Sequence, residues 1–251
     1  MALILTFKYP PIDLSFLSKY NFEQIDDLTY KLVSKANKEP ITYINESAFN
    51  ECRSLESIII PDSVNTIGKY AFFECTSLES VVIPDSVITI YDCAFASCTS
   101  LESVVIPDSV KTIGFGAFAY CKSLESVVIP HSVNTIGEGA FSYCESLKSI
   151  IIPDSVTSID ISAFACCDSL ESVVILDSVN TINKFAFAYC NSLESVVIPD
   201  SVISIQKDVF SDCPSLKTVI INGQNTEYLE KYFETNYPEI DLEFSHQYLL
   251  K

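Results

Sequence analysis

One 23-residue segment recurs through most of this chain of 251 residues. The string Ser-Leu-Glu-Ser-Val-Val-Ile-Pro-Asp-Ser-Val stands unchanged at residues 77–87, 100–110 and 192–202, and with one substitution at 123–133 and 169–179. A unit this short cannot bury its own apolar face, so neighbouring units must stack and share one continuous core. The repeat therefore predicts a solenoid.

Leucine and cysteine mark the register of the repeat. A leucine recurs at the same place in every unit, and a cysteine precedes each leucine by three positions. The leucines are Leu55, Leu78, Leu101, Leu124, Leu147, Leu170, Leu193 and Leu216, and the cysteines are Cys52, Cys75, Cys98, Cys121, Cys144, Cys167, Cys190 and Cys213. Because all eight pairs keep one register, we expect the units to be structurally equivalent.

The first half of each unit predicts a short strand. Leu78, Val81 and Ile83 have the apolar spacing of a strand that pairs in parallel with the same strand of the next unit. Pro84 follows directly, and because proline has no N–H to donate to a neighbouring strand, we expect the strand to end there.

The second half of the unit predicts the return path. Val87 and Ile90 face the core again and favour a second short strand. Ala94, Phe95 and Cys98 then have the spacing of one helical turn, which leads the chain to the next leucine.

The repeated pattern Leu-x-x-Val-x-Ile-Pro-x-Ser-Val-x-x-Ile-Gly-x-x-Ala-Phe-x-x-Cys resembles the BspA-like leucine-rich repeat, which occurs in bacterial surface proteins and is expanded in some parasitic protists and large viruses. The resemblance covers about residues 41–221. It implies an α/β leucine-rich-repeat solenoid of about eight 23-residue units, with short parallel strands and short helical turns on the return side. It also implies adhesion or partner binding rather than catalysis.

The two ends of the chain depart from the repeat. An uncapped stack would expose one apolar layer and one strand edge, so we expect a cap at each end. We predict an N-terminal cap over residues 1–40, the solenoid over 41–221 and a C-terminal cap over 222–251. In the C-terminal cap we expect Thr226 to begin a helix that places Leu229, Tyr232 and Phe233 on one face, followed by a strand at 240–244.

Charge limits the partners of the chain. With 33 acidic and 15 basic side chains, its formal net charge is −18, which would repel nucleic acid and anionic lipid surfaces. No apolar run approaches the ~20 residues of a membrane span, and no secretory leader is recognisable. We therefore expect a cytoplasmic protein with no nucleic-acid partner and no membrane span; exposure at a surface by a leaderless route is the alternative.

One aliphatic position in each strand is expected to face solvent. Since Val81 and Ile83 point inward, Val82 should point outward. Repetition places an outward ladder at Ile59, Val82, Val105, Val128, Ile151, Val174, Val197 and Ile220, with the serines Ser80, Ser103 and Ser126 beside it. Exposed apolar patches of this kind are typical of contact sites, and these residues are the candidate partner-binding surface, either for another protein or for self-association. Two alternatives stay open: that branched residues are simply good strand formers, and that residues 1–40 fold back across the ladder.

The cysteines and His131 are expected to have structural roles and not catalytic or metal-binding ones. Eight of the ten cysteines occupy the same inward position, and no Cys-x-x-Cys pair or adjoining histidine suggests a zinc site. Cys93 and Cys166 fall outside this register and are expected to be the exposed thiols. His131 replaces a turn aspartate, and no glycine-rich phosphate loop is present. We expect no enzyme activity, no cofactor and no metal.

Rows of carboxylates and a set of aromatic residues complete the surface. Aspartates such as Asp85 and Asp108 should line one edge of the strands and glutamates such as Glu79 and Glu102 the other; calcium binding along these rows is the alternative to solvated turns. Tyrosines at the corners, including Tyr120, are expected to pack between neighbouring units.

Taken together, these features predict a non-enzymatic scaffold that binds protein partners through its repeat surface. A cell-surface or virion adhesin that binds host proteins or extracellular matrix is the alternative.

Overall fold

The computed structural model describes residues 3–7, 20–24, 29–34, 40–224 and 226–245. These residues form a β-solenoid of about nine turns, with parallel strands, a 23-residue spacing and one helix. The leucine-rich-repeat solenoid predicted from the sequence is confirmed.

The strands are short and alternate between two faces of the solenoid. In chain order the elements are β1 (Leu3–Phe7), β2 (Tyr20–Gln24), β3 (Thr29–Ser34), β4 (Tyr43–Ile44), β5 (Leu55–Ile59), β6 (Thr66–Ile67), β7 (Ser80–Val82), β8 (Thr89–Ile90), β9 (Ser103–Val105), β10 (Thr112–Ile113), β11 (Ser126–Val128), β12 (Thr135–Ile136), β13 (Ser149–Ile152), β14 (Ser158–Ile159), β15 (Ser172–Ile175), β16 (Thr181–Ile182), β17 (Ser195–Pro199), β18 (Ser204–Ile205), β19 (Thr218–Asn222), α1 (Glu227–Asn236) and β20 (Asp241–Ser245).

Within each sheet, the strands of the repeat pair in parallel with their equivalents in the next turn. Val81 lies opposite Val104, and Thr89 lies opposite Thr112, so the pairing follows the 23-residue spacing of the repeat. The main face, which carries the odd-numbered strands from β5 to β19, consists of two sheets that meet between β11 and β13, whereas the even-numbered strands from β4 to β18 form one continuous sheet. The second short strand that the sequence favoured is therefore present in every turn from β4 to β18.

The return side differs from the expected helical turn. In the corner at residues 70–75, Phe72 donates its N–H to the Ala94 carbonyl of the next turn at 2.7 Å, while the Cys75 N–H reaches back to Phe72 at 3.2 Å. Tyr70 and Glu74 have φ angles of 55° and 56°. An α-helix needs every N–H to bond four residues back and every φ to be negative. The corner is therefore a chain of hydrogen-bonded turns, and the prediction of short helical turns was wrong.

A column of phenylalanines fills the centre of the stack. Neighbouring rings are nearly parallel, and their centroids lie between 5.0 Å and 5.8 Å apart from Phe49 to Phe210. The column consists of Phe49, Phe72, Phe95, Phe118, Phe141, Phe164, Phe187 and Phe210, and Phe233 of α1 extends it with a tilted ring at 6.2 Å. Each ring covers its neighbour, so no single turn carries a complete core.

The cysteine column lies beside the phenylalanines and bonds to their backbone. The Cys98 thiol donates to the Phe72 carbonyl of the preceding turn at 3.2 Å, and Cys121 does the same to Phe95 at 3.2 Å. The bond recurs in every turn from Cys75 to Cys213. All ten cysteines are free thiols, which agrees with the packing role expected from their register.

The N-terminal strands close the first edge of the main face. β1 runs antiparallel to β5, β3 to β1 and β2 to β3. Leu3 and Leu5 of β1 are fully buried in the core. These described strands extend the sheet sideways and do not cross the aliphatic ladder.

The C-terminal elements close the opposite end. β20 pairs in parallel with β19, and α1 connects them. Leu229 and Phe233 of α1 are buried. The helix begins after Thr226 as expected, but the Thr226 hydroxyl donates to the Glu230 carboxylate and caps no backbone N–H.

At the end of the repeat, two tyrosine hydroxyls accept hydrogen bonds from backbone N–H groups. The Tyr228 hydroxyl accepts the Ile205 N–H at 2.8 Å, and the Tyr237 hydroxyl accepts the Phe210 N–H at 3.3 Å. In the preceding turn the Phe187 N–H, which is equivalent to that of Phe210, bonds to the Val209 carbonyl of the next repeat, and Ile182, the equivalent of Ile205, pairs with the next strand. The side chains of the cap therefore satisfy backbone groups that the end of the repeat leaves over.

Candidate partner-binding surface

The outward aliphatic ladder is exposed where it crosses the middle of the main face. The side chains of Val82, Val105 and Val128 are 68%, 73% and 70% exposed, whereas Val81 and Val104 beside them are buried. The alternation follows from the strand period, which turns successive side chains to opposite faces. We call the exposed ladder the aliphatic strip.

The strip becomes less exposed toward both ends. Ile59 and Ile151 are about half exposed. The remaining predicted members, Val174, Val197 and Ile220, are only partly exposed. The serines follow the same trend, since Ser80, Ser103 and Ser126 are exposed and the later serines Ser172 and Ser195 are partly buried. The structure thus brings all the predicted residues onto one face, with the accessible part centred on β7, β9 and β11.

An open depression of about 1080 Å³ lies on this face. Its floor includes Val105, Val128 and Ile151. It spans the junction between β11 and β13, where the backbone still connects adjacent turns through a bond of 3.3 Å from the Lys148 N–H to the Glu125 carbonyl. Residues that follow the strands, including Pro107, Pro130 and Pro153, also line it. The sequence did not reveal this depression, because its position depends on how the two sheets meet.

Carboxylates border the strip on both sides. Asp85 and Asp108 follow β7 and β9 and line the depression, whereas Glu79 and Glu102 precede these strands; all four are exposed. Among the described residues, none of the four has an ion-pair partner. They therefore carry uncompensated negative charge next to an apolar surface.

Further along the strip the charges are paired. The Lys148 ammonium bonds to Glu125 at 2.8 Å and holds the pKa of that carboxyl below its usual value. The ring of His131, at the turn position that is aspartate in other units, lies 2.5 Å from Asp154. Within the part of the chain that the structure describes, no three His, Cys, Asp or Glu side chains are grouped so that they could hold a metal ion.

The two thiols outside the repeat register, those of Cys93 and Cys166, differ in their exposure to solvent. Cys166 is partly exposed, as expected, but Cys93 is buried beneath Tyr70 and Phe73 together with Ala96. The expectation of an exposed Cys93 was wrong, because aromatic side chains of the preceding corner cover it.

Burial raises the pKa of Cys121, a thiol of the cysteine column, to about 12, so this thiol is protonated near neutral pH.

Aromatic side chains stack along one corner of the solenoid. The rings of Tyr120 and Tyr143 are parallel to within 8°, with centroids 4.4 Å apart. A hydrogen bond with Cys166 is the main reason why the pKa of Tyr143 is raised to about 12. These tyrosines pack between neighbouring turns, as the sequence predicted.

Two exposed aliphatic residues that stand directly before β8 and β18 were not predicted from the sequence. Ile88 and Ile203 are 53% and 68% exposed. A signal was available, since Asn65, Lys111 and Asn134 stand at the same place in other units. The two are five units apart and form no strip.

The comparisons with known proteins agree with the geometry. The family model for the BspA type leucine-rich repeat region matches the chain in six copies over residues 15–144 and 111–238. The chain belongs to the BspA-type leucine-rich repeat family. Among curated proteins, none matches it.

Solved structures of this repeat type superpose on most of the chain. A leucine-rich repeat protein from Bacteroides ovatus is 26% identical, with a TM-score of 0.54 and coverage of 89% of this chain and 67% of the other. The leucine-rich repeat protein of T. pallidum is 29% identical, with a TM-score of 0.61 and coverage of 74% and 91%. The pneumococcal vaccine antigen PcpA shares the fold at 18% identity, with a TM-score of 0.55 and coverage of 77% and 57%.

BspA-type solenoids are non-enzymatic repeat scaffolds, and leucine-rich repeat proteins generally bind other proteins. Within the described ranges, the chain has no helix with the length and apolar character that crossing a bilayer requires.

Proposed function

We propose that this protein is a non-enzymatic scaffold that binds a protein partner through the aliphatic strip. The observation that carries the proposal is the exposure of Val82, Val105 and Val128 in one uninterrupted row. Branched side chains left in water on three successive turns are an apolar patch of the kind that marks contact sites. The depression that Val105 and Val128 help to line offers a surface into which a partner can insert side chains.

A binding assay with matched variants tests this proposal. The double variant Val105→Asp/Val128→Asp places two charges on the strip, and Ile88→Asp/Ile203→Asp places two charges at exposed aliphatic positions elsewhere. We expect the strip variant to lose a protein that the wild-type chain retains from a cell extract, while the control variant retains it. Circular dichroism checks that both variants fold. Equal retention by all three proteins would contradict the assignment of the strip.

We also propose that the scaffold works in a reducing compartment. The ten free thiols support this proposal, since adjacent turns bring their cysteines into one column without joining them. The alternative, an adhesin presented to host proteins or matrix, would expose Cys166 and the partly buried Cys213 to oxidising conditions. Titration of native material should find ten reduced thiols; disulfide-linked cysteines would favour the adhesin.

A further inference from the structure

The strip is an apolar floor between two acidic borders. In the unit of β7, Val82 lies three residues after Glu79 and three before Asp85, and the unit of β9 repeats the arrangement with Glu102, Val105 and Asp108. Because an extended chain rises at most about 3.3 Å per residue, each border lies within roughly 10 Å of the strip, and the two borders are at most roughly 20 Å apart.

The charge of this surface selects among possible occupants. The four bordering carboxylates at residues 79, 85, 102 and 108 have no ion-pair partner among the described residues, and the whole chain carries a formal charge of −18. A second copy of the chain would bring the same acidic borders into contact and be repelled. A partner with basic side chains on both sides of an apolar ridge would complement the surface.

The spacing along the strip favours a helix over an extended segment. Val82, Val105 and Val128 belong to adjacent parallel strands, which lie about 4.8 Å apart. One turn of an α-helix rises about 5.4 Å, whereas side chains on one face of a strand repeat at about 6.6 Å. A helix with its side chains is about 10–12 Å wide, so Lys or Arg side chains on both of its flanks can reach the borders.

We propose that the partner of the aliphatic strip is an amphipathic helix whose apolar ridge is flanked on both sides by Lys or Arg. The helix lies along the solenoid axis, its ridge contacts the strip from Val82 to Ile151, and its cations pair with the glutamate and aspartate borders. This inference rests on the proposed function, because it specifies the chemistry of the partner that the strip binds.

Three synthetic peptides, each long enough for about five helical turns, test the inference directly by fluorescence anisotropy with the full chain. The first carries leucines at helical spacing with lysine on both flanks, the second replaces each lysine by glutamate, and the third scrambles the first so that the leucine ridge is lost. We expect the first peptide to bind at least about tenfold more tightly than the scrambled peptide and the acidic peptide not to bind. Equal binding of the two basic peptides would overturn the inference.

Two protein variants test whether the peptide is bound by the carboxylates that border the strip or by the negative charge of the whole chain. The variant Glu79→Gln/Asp85→Asn/Glu102→Gln/Asp108→Asn removes four charges at the strip, and Glu46→Gln/Glu138→Gln/Glu234→Gln/Glu239→Gln removes four exposed charges elsewhere. We expect the first to weaken binding of the basic helical peptide about tenfold, since exposed ion pairs contribute modestly, and the second to leave it nearly unchanged. Similar weakening by both variants would overturn the inference.

The extract assay distinguishes failure of this inference from failure of the proposed function. If Val105→Asp/Val128→Asp loses a captured protein but the border variant retains it fully, the strip binds a partner of another chemistry. In that outcome the scaffold function stands and the basic helix is rejected.

Discussion

Phe141 shows how one side chain connects three turns. Its ring stacks on Phe118 and Phe164 at 5.4 Å on each side, and it is fully buried. Because a turn has no core of its own, removal of one ring leaves a cavity between two neighbours. The phenylalanine register was predictable from sequence, but the parallel stacking follows from the backbone pairing that holds successive turns in register.

We expect Phe141→Ala to lower the free energy of unfolding by about 3–5 kcal/mol, as for other large-to-small core changes. Urea denaturation measures the effect. Phe115→Ala is the matched control, because the Phe115 side chain is 51% exposed, and its effect should stay within about 0.5 kcal/mol. Equal effects of the two substitutions would contradict a continuous stacked core.

The buried thiols predict a loss of stability at alkaline pH. An unfolded cysteine releases its proton near pH 8.5, whereas burial raises the pKa of Cys121 to about 12 in the folded chain. Between these pH values the folded state binds more protons than the unfolded state, so the free energy of unfolding falls by about 1.4 kcal/mol per pH unit for each such thiol.

Denaturation at a series of pH values from 8 to 11 measures this slope. Cys121→Ala should make the decline shallower by roughly one thiol's contribution, whatever the substitution does to stability at pH 7. A slope that is identical in wild type and variant would show that Cys121 does not resist deprotonation in the folded state.

At the scale of single elements, the corners depart from what spacing alone suggested. The Ala-Phe-x-x-Cys spacing fits a helical turn, yet alternate N–H groups bond to the next turn and two residues per corner have positive φ, among them Gly116 and Tyr120. Glycine fills such positions in only two units. A local pattern could not show this, because the acceptors belong to the next repeat along the sequence.

Tyr228 of α1 and Tyr237, which directly follows the helix, accept backbone N–H groups at the end of the repeat. We expect Tyr228→Phe to destabilise the C-terminal turn by about 1 kcal/mol, because the Ile205 N–H loses the hydroxyl that accepts it at 2.8 Å. Hydrogen exchange at the Ile205 amide should quicken in this variant. Tyr189→Phe removes an exposed hydroxyl from a corner and should leave that exchange rate unchanged; faster exchange in both would contradict the capping role.

At the scale of the whole molecule, stability is close to a sum over turns and the contacts between them. Stacking in register also means that the number of turns is adjustable while the length of each turn is fixed. Pairing of Val81 with Val104 and of Val104 with Val127 requires a constant 23-residue interval.

Deletion of residues 101–123 should therefore leave a folded solenoid that is one turn shorter and less stable, since Leu124 then takes the place of Leu101. Deletion of residues 101–122, one residue fewer, should disrupt folding from that point, because a shift of one residue turns buried side chains outward. Circular dichroism and thermal denaturation compare the two proteins. Equal stability of both deletions would contradict the register argument.

The amino-acid sequence was sufficient to establish the solenoid, the inward leucines, phenylalanines and cysteines, and the outward position of Val82 and its equivalents, because a 23-residue repeat with period-two strands allows few other arrangements. The folded chain was needed to learn how exposed each member of the strip is, where the depression lies, that Cys93 is covered, and that the corners are turns. These features depend on contacts between neighbouring turns and on how the two sheets of the main face meet, and neither is encoded within a single repeat.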